Sequence, residues 1–188
     1  MRTEFFFGAR SPYSWLAAER IGALIPDAVW RPVFAGGLFA AVGRRSWGLT
    51  GERAAKLADV EARAAAYGLG PVEWPEPWPT SDVRIARAML VAEEHGRLRP
   101  FALAAMRLAF LEGLDLAAPG AVGAACAIAG LRAADVSARI EEPAVKQHLR
   151  ERTDAAVAAG VVGVPTVRTE AGLFWGDDRL ADAAASAR

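Results

Sequence analysis

Four short segments of this chain place polar groups where the backbone can present them for chemistry. Ser11-Pro12-Tyr13-Ser14 has the residue types that open a helix, serine as cap and proline as first helical residue. Unpaired N–H groups and a partial positive charge at such a helix start suit an anion held against the Ser11 hydroxyl, although the same residues also serve as ordinary capping. Gly163-Val164-Pro165-Thr166 puts a proline at a strand entry. If the Val164–Pro165 peptide is cis, the Val164 N–H and C=O face outward to pair with an extended peptide; a plain trans proline is the alternative. Trp175-Gly176-Asp177-Asp178 ends a strand in two carboxylates, which can cap the next helix or hold a ligand ammonium. Gly43-Arg44-Arg45-Ser46-Trp47-Gly48 offers guanidinium groups that can clamp a carboxylate or simply sit in solvent.

Ser11 lacks the surroundings of a nucleophile. No histidine is near it in sequence, the glycines of a nucleophile elbow are missing, and His95 and His148 both fall in polar helical segments that predict exposure. Cys126 is the only cysteine among 188 residues, which excludes an internal disulfide, a CxxC pair and a multi-cysteine zinc site. Its alanine- and glycine-rich neighbourhood predicts a small core residue. With 22 basic and 22 acidic residues and a pI near 6.8, the chain lacks the positive field on which nucleic-acid binding rests, so a small-molecule partner is expected.

The elements that must position these groups follow from pattern. Glu4 to Gly8 reads as a buried strand, Ser11 to Ile25 as a helix stopped by Pro26, and Val29 to Phe34 as a second strand, a β-α-β unit with parallel crossover spacing. From Leu38 to about Pro143 alanine, leucine, arginine and glutamate dominate and the chain reads as helical, with helices at 51–67, 83–95, 100–112, 120–129 and 133–140. Within it Pro71 to Pro79 holds four prolines and two tryptophans, an extended connector whose Trp74 and Trp78 are candidate wall residues. A helix over 144–160, strands at 164–168 and 173–175 joined by Glu170-Ala171-Gly172, and a closing helix over 177–187 complete the pattern. The expected architecture is α/β: a thioredoxin fold from residues 1–38 and 144–188, with an inserted all-helical domain over 39–143. The N-terminal apolar run is too short for a signal peptide and the uncharged stretch from Leu116 to Leu131 is broken by proline and glycine, so no membrane span and a cytoplasmic location are expected.

Four blocks in order carry a resemblance: Phe5-Phe6-Phe7-Gly8-Ala9-Arg10-Ser11-Pro12-Tyr13-Ser14-Trp15-Leu16-Ala17; Arg31-Pro32-Val33-Phe34-Ala35-Gly36-Gly37-Leu38-Phe39; Thr153 to Val157 with Gly160 to Thr166; and Leu173-Phe174-Trp175-Gly176-Asp177-Asp178-Arg179-Leu180. Through them the chain resembles the 2-hydroxychromene-2-carboxylate isomerases and kappa-class glutathione transferases, which have a DsbA-like thioredoxin fold. The resemblance implies glutathione, or another low-molecular-weight thiol, as cofactor. It implies that Ser11 stands where DsbA-like proteins carry the nucleophilic cysteine, with Ser14 at the second cysteine position, and that Ser11 favours the glutathione thiolate. It further implies that Val164, before Pro165, pairs with the glutathione cysteine, that Asp177 and Asp178 receive its γ-glutamyl end, and that the protein is a homodimer. The implied activity is cis-trans isomerisation of a conjugated substrate, with irreversible glutathione transfer or a non-catalytic binding role as alternatives. The chain departs from the family pattern at Arg44, at Glu52 where a lysine is common nearby, at Ser81 beside Asp82 where an asparagine is usual, and at Asp177. Arg44 or Arg45 is the candidate replacement for the lost cation.

Overall fold

Three consecutive phenylalanines form the middle of the structure. In this computed structural model, which describes residues 1–187, Glu4–Phe7 is strand β1 and Val29–Pro32 is strand β2, paired in parallel from Glu4 opposite Val29 to Phe7 opposite Pro32. Thr166–Thr169 (β3) runs antiparallel on the other edge of β1, and Gly172–Trp175 (β4) runs antiparallel to β3, giving the order β2-β1-β3-β4. Successive side chains of a strand point to opposite faces. Phe5 and Phe7 therefore share one face, each with its ring 5.1 Å from that of Trp30, while Phe6 packs on the other face in a smaller cluster with Val33, Leu38 and Val161.

The crossover helix α1 (Pro12–Leu24) starts at Ser11 and ends before Pro26, as the sequence predicts. Helices α3 (Arg53–Ala66), α4 (Val83–Glu94), α5 (Leu98–Leu111), α6 (Ala121–Ala129), α7 (Ala133–Arg139) and α8 (Pro143–Ala158) lie within two residues of their expected limits. Helix α2 (Ala35–Ala41) is not among the helices expected from sequence, and it contains Gly36 and Gly37, which have low helix propensity. These glycines are held there by close packing: a Cβ at Gly36 would lie 2.8 Å from the Phe34 ring. The expected closing helix over 177–187 divides into a 3-10 turn, Asp177–Arg179, and helix α9, Leu180–Ser186. The third strand begins at Thr166 rather than 164, because Pro165 has no N–H to donate; its carbonyl instead accepts the Gly176 N–H at 2.9 Å.

One apolar core joins the sheet to the helices between α2 and α8. Trp15 of α1 stacks on Phe110 of α5 with ring centroids 5.6 Å apart, and Met89, Phe101 and Met106 are fully buried in the same cluster. Cys126 is buried there as expected, and burial pushes its thiol up. His95 and His148 are exposed. No described helix is long and apolar enough to cross a membrane.

Candidate active site

A cavity of about 500 Å³ opens where the start of α1, the loop after α2, helix α3 and the loops flanking β3 and β4 converge. Ser11, Val164, Pro165, Asp177, Asp178, Arg44 and Trp78, separated by up to 167 positions in the chain, all line it. Ser14 does not. It is fully buried beneath α1, where its hydroxyl lies 3.4 Å from the Gly8 N–H.

Ser11 caps α1: its Oγ accepts the Ser14 N–H at 3.2 Å, and its hydroxyl donates to the Val164 carbonyl at 3.3 Å. Capping and a place in the cavity are thus compatible, since the cap faces the open end of the helix dipole. The Val164–Pro165 peptide is cis, which selects between the two conformations open from sequence. Among the described residues the Val164 N–H has no partner, and its C=O has only the Ser11 hydroxyl. The loop reaches this position because residue 163 is glycine: a Cβ there would lie 2.6 Å from the Trp175 indole nitrogen.

The wall opposite is aromatic. Tyr13 meets Trp47 at 6.0 Å between centroids, and Trp47 meets Trp78 at 4.8 Å. Gly48 keeps these indoles close, since a Cβ there would lie 2.6 Å from Trp78. At the mouth, the Arg44 guanidinium sits 4.4 Å from the centre of the half-exposed Trp175 ring.

Charge is arranged differently at the two ends. Asp177, only 1% exposed, accepts from Arg63 at 2.9 Å and from the Tyr67 hydroxyl at 3.0 Å, with Arg20 at 3.8 Å. Burial pushes its carboxyl above the usual range, with Asp178 adding to the rise and Arg63, Tyr67 and Arg20 opposing it. Its oxygens are therefore committed within the protein, and the exposed Asp178 carries the carboxylate that faces the opening. Arg63 also binds Asp59, which accepts the Tyr13 hydroxyl at 2.7 Å. Burial together with that bond pushes the Tyr13 phenol well above the ordinary tyrosine range. Burial would raise Asp59 as well, but the hydrogen bonds from Tyr13 and Arg63 outweigh it and hold the carboxyl below its usual range. Arg44, Arg45 and Lys56, which also line the cavity, have no carboxylate within 4.0 Å among the described residues.

Sequence reading missed Tyr13, Lys56, Asp59 and Arg63 as site residues. Glu52, Lys56, Asp59 and Arg63 repeat at intervals of four, three and four residues and all line the cavity, a polar stripe on one side of α3. That spacing was the available signal. Lys56, four residues beyond Glu52, brings an ammonium to the cavity. Ser81 is exposed and stands outside it, while Asp82 is fully buried and accepts the Arg10 N–H at 3.1 Å, tying down the residue before Ser11. Among the described residues no cluster of His, Cys, Asp and Glu is placed to hold a metal ion.

Comparison with known proteins bears on the chain as a whole. The chain is 27% identical to 2-hydroxychromene-2-carboxylate isomerase from Sphingobium xenophagum over 190 aligned residues, covering 94% of this chain and 93% of that one. A solved 2-hydroxychromene-2-carboxylate isomerase superposes with a TM-score of 0.82 at 21% identity, over 96% of this chain and 91% of the other. The cytosolic disulfide reductase DsbM from Pseudomonas aeruginosa, solved with glutathione, superposes at 0.65 with 18% identity, over 98% and 96%. Both superpositions bear on the fold, an α/β thioredoxin fold elaborated by helices. Since residues 2–186 match the family described as DSBA-like thioredoxin domain, the chain belongs to that family.

Proposed function

We propose that the protein is a glutathione-dependent cis-trans isomerase acting on a conjugated substrate of the 2-hydroxychromene-2-carboxylate type. The observation that carries the reading is the Ser11 hydroxyl at the start of α1, lining the cavity and hydrogen-bonded to the carbonyl of Val164, the residue before Pro165. The 27% identity to a protein of that activity over nearly the whole chain supports it, and a fold neighbour solved with glutathione is consistent with the cofactor.

The residues fit a cysteinyl tripeptide. Val164 offers one backbone donor and one acceptor, the pairing that an extended peptide uses. Arg44, Arg45 and Lys56 offer three cations to carboxylates, and Asp178 offers its carboxylate to an ammonium. Glutathione, when bound, supplies the sulfur nucleophile that the chain lacks, adding to and leaving a conjugated bond so that rotation can occur between the two events. Ser11 donates to that sulfur and the start of α1 favours its negative charge, modest help that suffices for a thiol of pKa ~8.5 at neutral pH. The aromatic wall of Tyr13, Trp47 and Trp78 holds a flat unsaturated substrate, and the cation not engaged by glutathione holds its carboxylate.

The test is isomerisation of 2-hydroxychromene-2-carboxylate with and without reduced glutathione, in wild type and Ser11→Ala. Turnover that requires glutathione and falls ~10- to 100-fold in the variant is expected, the worth of one hydrogen bond to a charged acceptor. Turnover without any thiol overturns the cofactor, and accumulation of a stable thioether instead of isomer assigns the protein to glutathione transfer.

A further inference from the structure

We propose that Arg10 takes the substrate's carboxylate in the fork of its Nε and Nη2 atoms, so that the cavity selects conjugated acids over their neutral analogues. The proposal rests on the isomerase reading above and names the cation that meets the second substrate, leaving Arg44, Arg45 and Lys56 to glutathione.

Arg10 differs from Arg44 and Arg45 in being held at both ends. Its backbone N–H donates to the fully buried Asp82 at 3.1 Å, and its Nη1 donates to the Thr80 carbonyl at 2.8 Å. Thr80 is itself fixed by its hydroxyl, which donates to Asp115. Arg10 is half-buried, whereas Arg44 and Arg45 are exposed. A guanidinium immobilised by a neutral carbonyl keeps its full charge, and the entropy of ordering it has already been lost in folding.

Its remaining donors are open. Arg10 makes no ion pair within 4.0 Å among the described residues, Asp82 included. Its Nε and Nη2 have no hydrogen-bond partner there and, unlike the Nε atoms of Arg87 and Arg168, neither is buried. Arg10 lines both the main cavity and a narrow recess beside Trp78, while Thr80 lines only the recess. Nη1 is therefore drawn to the recess, and the Nε–Nη2 edge is left to the cavity. That edge presents two parallel N–H groups, the geometry that clasps both oxygens of a carboxylate. Elsewhere in the molecule the same fork is filled: Arg107 donates from Nε and Nη2 to the two oxygens of Glu19, each at 2.7 Å. Trp78, which lines the same two spaces as Arg10, offers a flat surface to the unsaturated part of such an acid. A neutral ester or amide leaves the fork without its charged acceptor and is rejected accordingly.

Calorimetric titration of cinnamate and cinnamamide into the protein, with and without glutathione, tests this together with isomerisation kinetics on 2-hydroxychromene-2-carboxylate at saturating glutathione. Cinnamate is expected to bind wild type at least ~10-fold more tightly than cinnamamide. Arg10→Leu is expected to erase that preference and to raise KM for the carboxylate substrate ~10- to 100-fold, with kcat changed less than about threefold and glutathione affinity unchanged. Arg10→Lys, which keeps the charge without the fork, is expected to fall between the two. Equal binding of acid and amide by wild type overturns the proposal without recourse to a variant. It is also overturned if Arg10→Leu weakens acid and amide alike, which assigns Arg10 to cavity shape, or weakens glutathione, which assigns it to the cofactor. Failure of wild type to isomerise, with the Arg10-dependent preference for cinnamate intact, overturns the isomerase reading and leaves the carboxylate site standing.

Discussion

The two ends of the cavity use charge in opposite ways. Around Asp177 the carboxylates and guanidinium groups neutralise one another: Arg63 alone reaches Asp59, Asp177 and Asp178. Arg44, Arg45 and Lys56 make no ion pair within 4.0 Å among the described residues, and Arg44 rests on the Trp175 ring. A paired buried charge contributes to a fixed shape, and it is costly to unpair. An unpaired cation at an opening contributes little to folding and remains available to a ligand. The first end is therefore expected to fail in stability when mutated, and the second in binding.

The largest effect lies at the paired end. Arg63→Ala leaves Asp177 buried with Tyr67 and the more distant Arg20, and a loss of about 3 kcal/mol in urea unfolding is expected. A loss below about 0.5 kcal/mol would show that the network is not structural. At the open end Arg44→Ala and Lys56→Ala are each expected to leave urea unfolding unchanged while weakening glutathione about tenfold, or ~1.4 kcal/mol, with the difference shrinking in high salt. Equal losses of stability at both ends would erase the contrast.

The same contrast separates the two serines of one helix turn. Ser14→Ala removes a buried side chain that faces the Gly8 N–H, and a loss of roughly 1 kcal/mol in stability is expected with no change in the pKa of bound thiol. A shifted thiol pKa in that variant would place Ser14 in the chemistry. The smallest effect is spectroscopic. Because the folded pKa of Tyr13 lies above its unfolded value of about 10, its contribution to stability is complete below that pH and declines as pH rises further. Alkaline difference spectra should show Tyr13 resisting ionisation beyond the ordinary range, and Asp59→Asn should bring its titration down. An unchanged titration in that variant removes Asp59 from the pair.

What the sequence made legible was local. Ser11-Pro12 specifies a cap, Pro165 a strand entry that cannot donate, and Trp78 its place among prolines, each from nearest neighbours. Asp177 shows the limit: its residue type suggested an ammonium partner, but Arg63 and Tyr67, more than a hundred residues earlier, take its oxygens. The stripe of Lys56, Asp59 and Arg63 was written at helical spacing, yet a polar face on a helix is ordinarily turned to solvent. Only the docking of α3 beside α1 makes it the side of a cavity. Helix α2 was hidden because the packing of Phe34 over Gly36 outweighs the low helix propensity of glycine.

Calorimetric titration of reduced glutathione into the wild-type protein tests the central claim most directly. Saturable binding of one glutathione per chain, weakened in Arg44→Ala and Lys56→Ala, is the predicted result. Absence of heat with ligand in the millimolar range, or binding indifferent to both substitutions, would contradict it.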